Sequence, residues 1–115
     1  MRYLVPLLLL GCAEPFAPPD ATPFDPPASY ATFWQQMESC SGLSGDMRRV
    51  QWFTVPGPIS APDGSHHWGL WASRHRIYLT ADMAPEFINW TVPHEMLHDL
   101  TQSGVHGVAF QRCGV

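Results

Sequence analysis

The chain has 115 residues, enough for one small globular domain and too few for two packed ones. Six Arg with no Lys, against ten acidic residues, give a net charge of −4, so no basic surface exists to attract nucleic acid, and no nucleic-acid partner is expected. With 45% hydrophobic residues, 12 Pro and 3 Cys, the chain reads as globular, but roughly 85 to 90 residues remain once its ends are set aside, a size that is marginal without a staple or a metal.

Met1-Arg2 followed by Tyr3 to Leu10 is a basic start and a short apolar run, too short for the roughly 20 residues of a membrane-spanning helix. It reads as an export signal over residues 1–11. Leu9-Leu10-Gly11-Cys12 resembles the bacterial lipobox, in which the Cys is lipidated and becomes the new N-terminus. That resemblance implies a lipid on Cys12 and a place in the bacterial cell envelope, on the periplasmic or extracellular face. The membrane is then touched only through the anchor. The alternative is an ordinary cleaved signal that leaves Cys12 as a free thiol. Residues 12–27 follow, rich in Pro and small residues, and their composition predicts a disordered tether. The folded domain is expected over 28–115.

Export into an oxidising compartment pairs the two remaining cysteines, Cys40 and Cys113. A loop of about 73 residues closed by that disulfide stabilises the fold by roughly 4 kcal/mol on the chain-entropy account.

Tyr30, Phe33, Trp34, Met37 and Cys40 recur at spacings of three and four, which predicts an amphipathic helix from Pro27 to about Ser41, with Ser29 as its N-cap. Val50 to Val55, rich in β-branched and aromatic residues, predicts a first strand that stops at Pro56-Gly57-Pro58. Trp68 to Ser73 and Arg76 to Thr80 predict a hairpin. The five Trp are read mainly as core and hairpin packing. A last helix starts between Pro85 and Pro93 and runs to Ser103, with Gly104 as the residue of positive φ beyond its end. Pro93 leaves two readings open, the first turn of a fresh helix or a kink in a longer one.

That helix carries His94-Glu95-Met96-Leu97-His98. Residues four apart lie one turn above each other, so both imidazoles point the same way at a separation that suits one Zn²⁺. Glu95 lies about 100° round the helix, beside the metal, placed to take a proton from activated water and pass it to a leaving amine. With six His and four Glu in the chain, chance would produce this pattern about once in a hundred such sequences. A catalytic zinc takes three protein ligands and keeps one position open. Downstream of His98 the acids offer only Asp99, about 100° away from the ligand direction. His106, just past the helix stop, is the remaining choice, with a surface loop residue as the alternative reading.

His94-Glu95-Met96-Leu97-His98 followed by His106-Gly107-Val108-Ala109-Phe110 resembles the HExxH and later H-G-x-x-F of SprT-like and related small zincin metallopeptidases. The resemblance implies His94, His98 and His106 as zinc ligands, Glu95 as catalytic base and Phe110 as a packing residue beneath the site. The chain is not similar to a metzincin, since Thr101 and Gly104 stand where that motif has Gly and His.

The expected fold is α+β: a minimal zincin-like domain with an N-terminal helix, a small three-stranded sheet, the HExxH helix and a disulfide-bound tail. The expected function is zinc-dependent hydrolysis of peptides or proteins, and the alternative is a non-catalytic zinc-binding or protein-binding surface lipoprotein. Arg76 to Thr80 is the candidate edge strand for pairing with an extended substrate, with a plain core strand as the alternative reading. His66, His67, His75 and Tyr78 are weighed as cleft residues and read first as ordinary turn and strand residues.

Overall fold

The computed structural model describes residues 17–115; the export signal and Cys12 lie outside the described residues. Among the described residues, six strands and three α-helices make up the α+β fold. The strands are β1 (Thr22–Pro23), β2 (Gln51–Val55), β3 (Ile59–Ser60), β4 (His66–His67), β5 (Gly69–Ala72) and β6 (Arg76–Thr80). The helices are α1 (Ser29–Ser41), α2 (Pro85–Thr101) and α3 (Val108–Cys113).

Helix α1 buries Tyr30, Trp34, Met37 and Ser41, the three-and-four spacing that the sequence shows. Its N-terminal cap is Ala28, not Ser29, with no side-chain capping bond; Ser29 already sits in the first turn. Gly42 closes the helix at φ 76°, a left-handed conformation that glycine adopts without strain, and its N–H donates to the Glu38 carbonyl.

The main sheet runs β1-β2-β6-β5. β2 and β6 pair in parallel at its centre, with Trp52 opposite Ile77 and Thr54 opposite Leu79, while β5 and β6 form the expected antiparallel hairpin. Arg76–Thr80 is therefore the central strand and not an edge. Its Ile77, Tyr78, Leu79 and Thr80 are all buried, as a strand covered on both faces requires. The edge on that side is β5. A short β3–β4 hairpin forms a second small sheet.

Alternation divides the core. Trp52, Ile77 and Leu79 face the helices and join Trp34, Met37, Val92, Met96, Leu97 and Phe110. Tyr78, Val55, Ala72 and Ile59 pack on the opposite face. α1 and α2 lie against each other on the helical side, and α3 packs on α1. The Cys40–Cys113 disulfide joins the ends of α1 and α3, with Cα atoms 5.2 Å apart.

The tether reading fails over its second half. Thr22 and Pro23 pair with Thr54 and Phe53 of β2, the Phe24 N–H donates to the Trp52 carbonyl, and the Phe24 ring meets Trp52 and Tyr30 edge-on. A composition averaged over 16 residues hides one aromatic side chain that reaches the core and one edge that needs a partner. Pro is tolerated there because an edge strand leaves N–H positions unpaired.

Helix α2 answers the question left open at Pro93. It is one helix that begins with Pro85 in its first turn and carries Pro93 inside. Pro93 removes the hydrogen bond to the carbonyl of Asn89, an exposed residue whose carbonyl water can reach. Gly104 does not end the helix. Gln102 does, at φ 50°, with its N–H on the carbonyls of Asp99 and His98.

Candidate metal centre

His94 and His98 stand one turn apart on α2, and the early stop at Gln102 turns the chain back so that His106 meets them. One ring nitrogen from each of the three lies within 4.8 Å of the others. The Nε2 atoms of His98 and His106 are 3.1 Å apart, close to the roughly 3.3 Å edge of a tetrahedron with zinc–nitrogen bonds of about 2.05 Å. The Nδ1–H of His98 donates to the Ser103 carbonyl at 2.7 Å. A carbonyl can only accept, so Nδ1 holds the proton and Nε2 keeps its lone pair toward His106. The Nδ1 of His94 is buried with no hydrogen-bond partner.

Burial, and then the neighbouring imidazoles, push the His94 pKa down to about 4. Burial lowers that of His98 as well. Both rings are therefore neutral at physiological pH, the form that ligates a metal. Three imidazoles that converge on one point, one with an orphaned nitrogen, fit a borderline-soft divalent cation.

The rings are fixed from outside. Phe110, buried at 4% exposure, lies under all three with centroid separations of 4.6 to 5.0 Å. Trp71 stacks along His98 at 6.1 Å and Trp90 on His94 at 4.5 Å. The indole N–H of Trp71 donates to Asp99, a buried carboxylate that also accepts from His75 Nδ1 at 2.9 Å. Asp99 is no part of the imidazole cluster; it ties α2 to the β5–β6 turn. Arg74 and His75 hold positive φ in that turn, a strained conformation for non-glycine residues that the His75–Asp99 pair sustains.

Glu95 sits beside the imidazoles at 7% exposure. Burial pushes its pKa up to about 8, and a hydrogen bond from the Trp71 main chain pulls weakly the other way. That bond follows from the sheet. The Trp68 carbonyl accepts from the Thr80 N–H, so strand alternation turns the main-chain groups of Gly69 and Trp71 away from β6, toward the cleft. The close approach of β5 to α2 depends on Gly69, where a Cβ would lie 2.7 Å from Thr91 Cγ2 and 3.0 Å from Glu95 Cγ.

Two hollows of about 200 and 300 Å³ meet at the cluster and share His67, Gly69, His94, Glu95 and His106. A larger one, about 550 Å³, lies between β1 and β2 beside Met47, away from the imidazoles. His67 thus reaches the cleft. Ser65 donates to Asp63, so its 2.7 Å contact with His67 Nε2 is a bond donated by the ring. His66 lines the outer hollow, His75 stands behind the site, and Tyr78 is buried against Phe53 on the opposite face of the sheet. Of the Trp, Trp34 and Trp52 are core, whereas Trp68 and Trp90 are 44% and 51% exposed at the cleft. The position of Trp90, four residues before His94, was a readable sign of that stacking; nothing in the sequence marked Gly69.

Comparison with known protein families, with characterised proteins and with solved structures finds no match for this chain.

Proposed function

We propose that the domain is a minimal zincin-like, zinc-dependent peptide hydrolase, carried on the outer face of a bacterial membrane by a lipid on Cys12. The observation that carries this reading is the convergence of His94, His98 and His106 beside a buried Glu95 in an open cleft. His94, His98 and His106 would hold a zinc ion, which when bound would supply a Lewis acid to acidify water and polarise a carbonyl. Glu95 accepts the proton of the attacking water and returns it to the leaving amine. The outward main-chain groups of β5 align an extended substrate by strand addition, a role that moves from the buried Arg76–Thr80 strand to the true edge. The resemblance to SprT-like peptidases supports the same assignment of ligands and base.

A purely metal-binding lipoprotein would use the same imidazoles but gives no reason to hold a carboxyl buried beside them. The chain from residue 17 onward, purified without chelator, should carry about one zinc per molecule, and His106→Ala should lose most of it. Glu95→Gln should keep the zinc and abolish hydrolysis of a casein or peptide-library substrate. Well-folded wild type without zinc would overturn the reading, and equal turnover by the Gln variant would overturn the role of Glu95.

A further inference from the structure

An aromatic shelf runs from the cluster along α2. Phe87, Trp90 and His94 are three and four residues apart, so they share one side of the helix, and Trp90 stacks directly on His94. Across the cleft the chain bends at Trp68, just before β5, and its ring stacks on Phe87 at 5.4 Å. All three aromatic rings are between 44% and 51% exposed. Exposed aromatic surface is left in water at a cost, so three such side chains together on one rim form a patch that the fold itself does not cover. The adjoining hollow of about 300 Å³ is walled by Trp68 and Trp90, and the one carboxylate in its lining is Glu95. No Arg lines it.

The strand edge gives a second and independent observation. Gly69 lines this hollow, and with the Thr80 N–H on the Trp68 carbonyl strand alternation turns the Gly69 main-chain N–H and carbonyl away from β6. An extended peptide carries the matching groups; a lipid or a glycan does not.

We infer that the cleft takes an extended peptide, and that Trp68, Phe87 and Trp90 form the subsite for a large apolar side chain, aromatic or leucine-like, on the residue next to the bond presented to Glu95. Adjacency follows from the 4.5 Å stacking of Trp90 on His94. The position relative to the cleaved bond rests on the hydrolase reading; the binding preference does not.

The test uses hexapeptides identical except for one central Phe, Leu, Ala or Asp. Their binding to the zinc-loaded full chain carrying Glu95→Gln is measured by calorimetry, and their cleavage by wild type is followed by mass spectrometry. The Phe and Leu peptides should bind about tenfold more tightly than the others, and Trp68→Ala should reduce that preference to about twofold while zinc content and circular dichroism stay the same. Phe87→Ala, at an exposed helix position, gives the same readout should Trp68→Ala misfold. Preference in binding without cleavage by wild type supports the subsite and overturns the hydrolase reading. Cleavage without preference, a preference untouched by both variants, or no peptide binding overturns the subsite. Tighter binding of a chito-oligosaccharide than of any peptide overturns the peptide assignment.

Discussion

Gly69 sets how near the sheet edge comes to α2. A methyl group there meets the β-branched and buried Thr91 and the middle of the Glu95 side chain, neither of which can swing aside as the end of a long chain could. Gly69→Ala should therefore destabilise the domain by about 1 to 3 kcal/mol, the usual cost of overpacking. It should also displace the Glu95 carboxyl from the Trp71 main chain. Zinc content should survive, because none of the three imidazoles is among the atoms that the new methyl meets. Urea unfolding and metal analysis of the variant check this; an Ala variant as stable as wild type would show that β5 is free to move and that the close approach is not required. The same residue marks a limit of sequence reading. Its φ is ordinary, it lies in no turn, and only the through-space approach of α2 explains it.

At the scale of elements, the disulfide acts on the site through a short lever. Cys113 ends α3, Phe110 in the same helix lies under the imidazoles, and His106 sits two residues before α3 begins. Reduction should lower stability by about 2 to 5 kcal/mol and weaken zinc affinity, as read by thermal unfolding and by competition with a chromophoric chelator. Unchanged affinity after complete reduction would mean that packing alone holds α3. What was legible in the sequence is what depends on neighbours in the chain. The α1 stripe, the paired His94 and His98, and the β5–β6 hairpin all follow from local spacing, and the cysteine pair follows from counting. Sheet order was not legible, because the parallel β2–β6 pairing joins segments about 25 residues apart and nothing local distinguishes a central strand of five residues from an edge. The helix stop was misread for a related reason. Gly104 has the freer backbone, yet Gln102 takes the left-handed conformation because its N–H and side-chain amide both find Asp99. The earlier stop also brings the Ser103 carbonyl back to His98 Nδ1.

Between pH 4.5 and 8 this site makes the stability of the whole molecule depend on pH, and the sign of its contribution differs on the two sides of pH 6.5. In chelated protein the Glu95 pKa is raised from 4.5 to about 8. The folded state keeps a proton that the unfolded chain releases, so the stabilisation is complete below 4.5 and is lost as pH climbs through 8. His94 and His98 shift the other way, His94 from 6.5 to about 4. Their contribution is complete above 6.5 and is lost as pH falls below it. Below 6.5 the His94 proton that the unfolded chain gains offsets the Glu95 proton that the folded state keeps, and the lowered His98 adds a loss of stability as pH falls; above 6.5 the Glu95 contribution remains, and stability falls by about 2 kcal/mol up to pH 8. The metal-free domain should therefore be most stable near pH 6.5, and Glu95→Gln should remove the alkaline fall while keeping the acid one. Saturating zinc should also abolish the fall, because a dication beside Glu95 favours the carboxylate. Urea midpoints at pH 5.5, 6.5 and 8, with chelator and with zinc, measure all three arms. A fall above pH 6.5 that persists in Glu95→Gln would assign the dependence to another group. A fall that zinc leaves unchanged would separate Glu95 from the metal and remove the base from the proposed reaction.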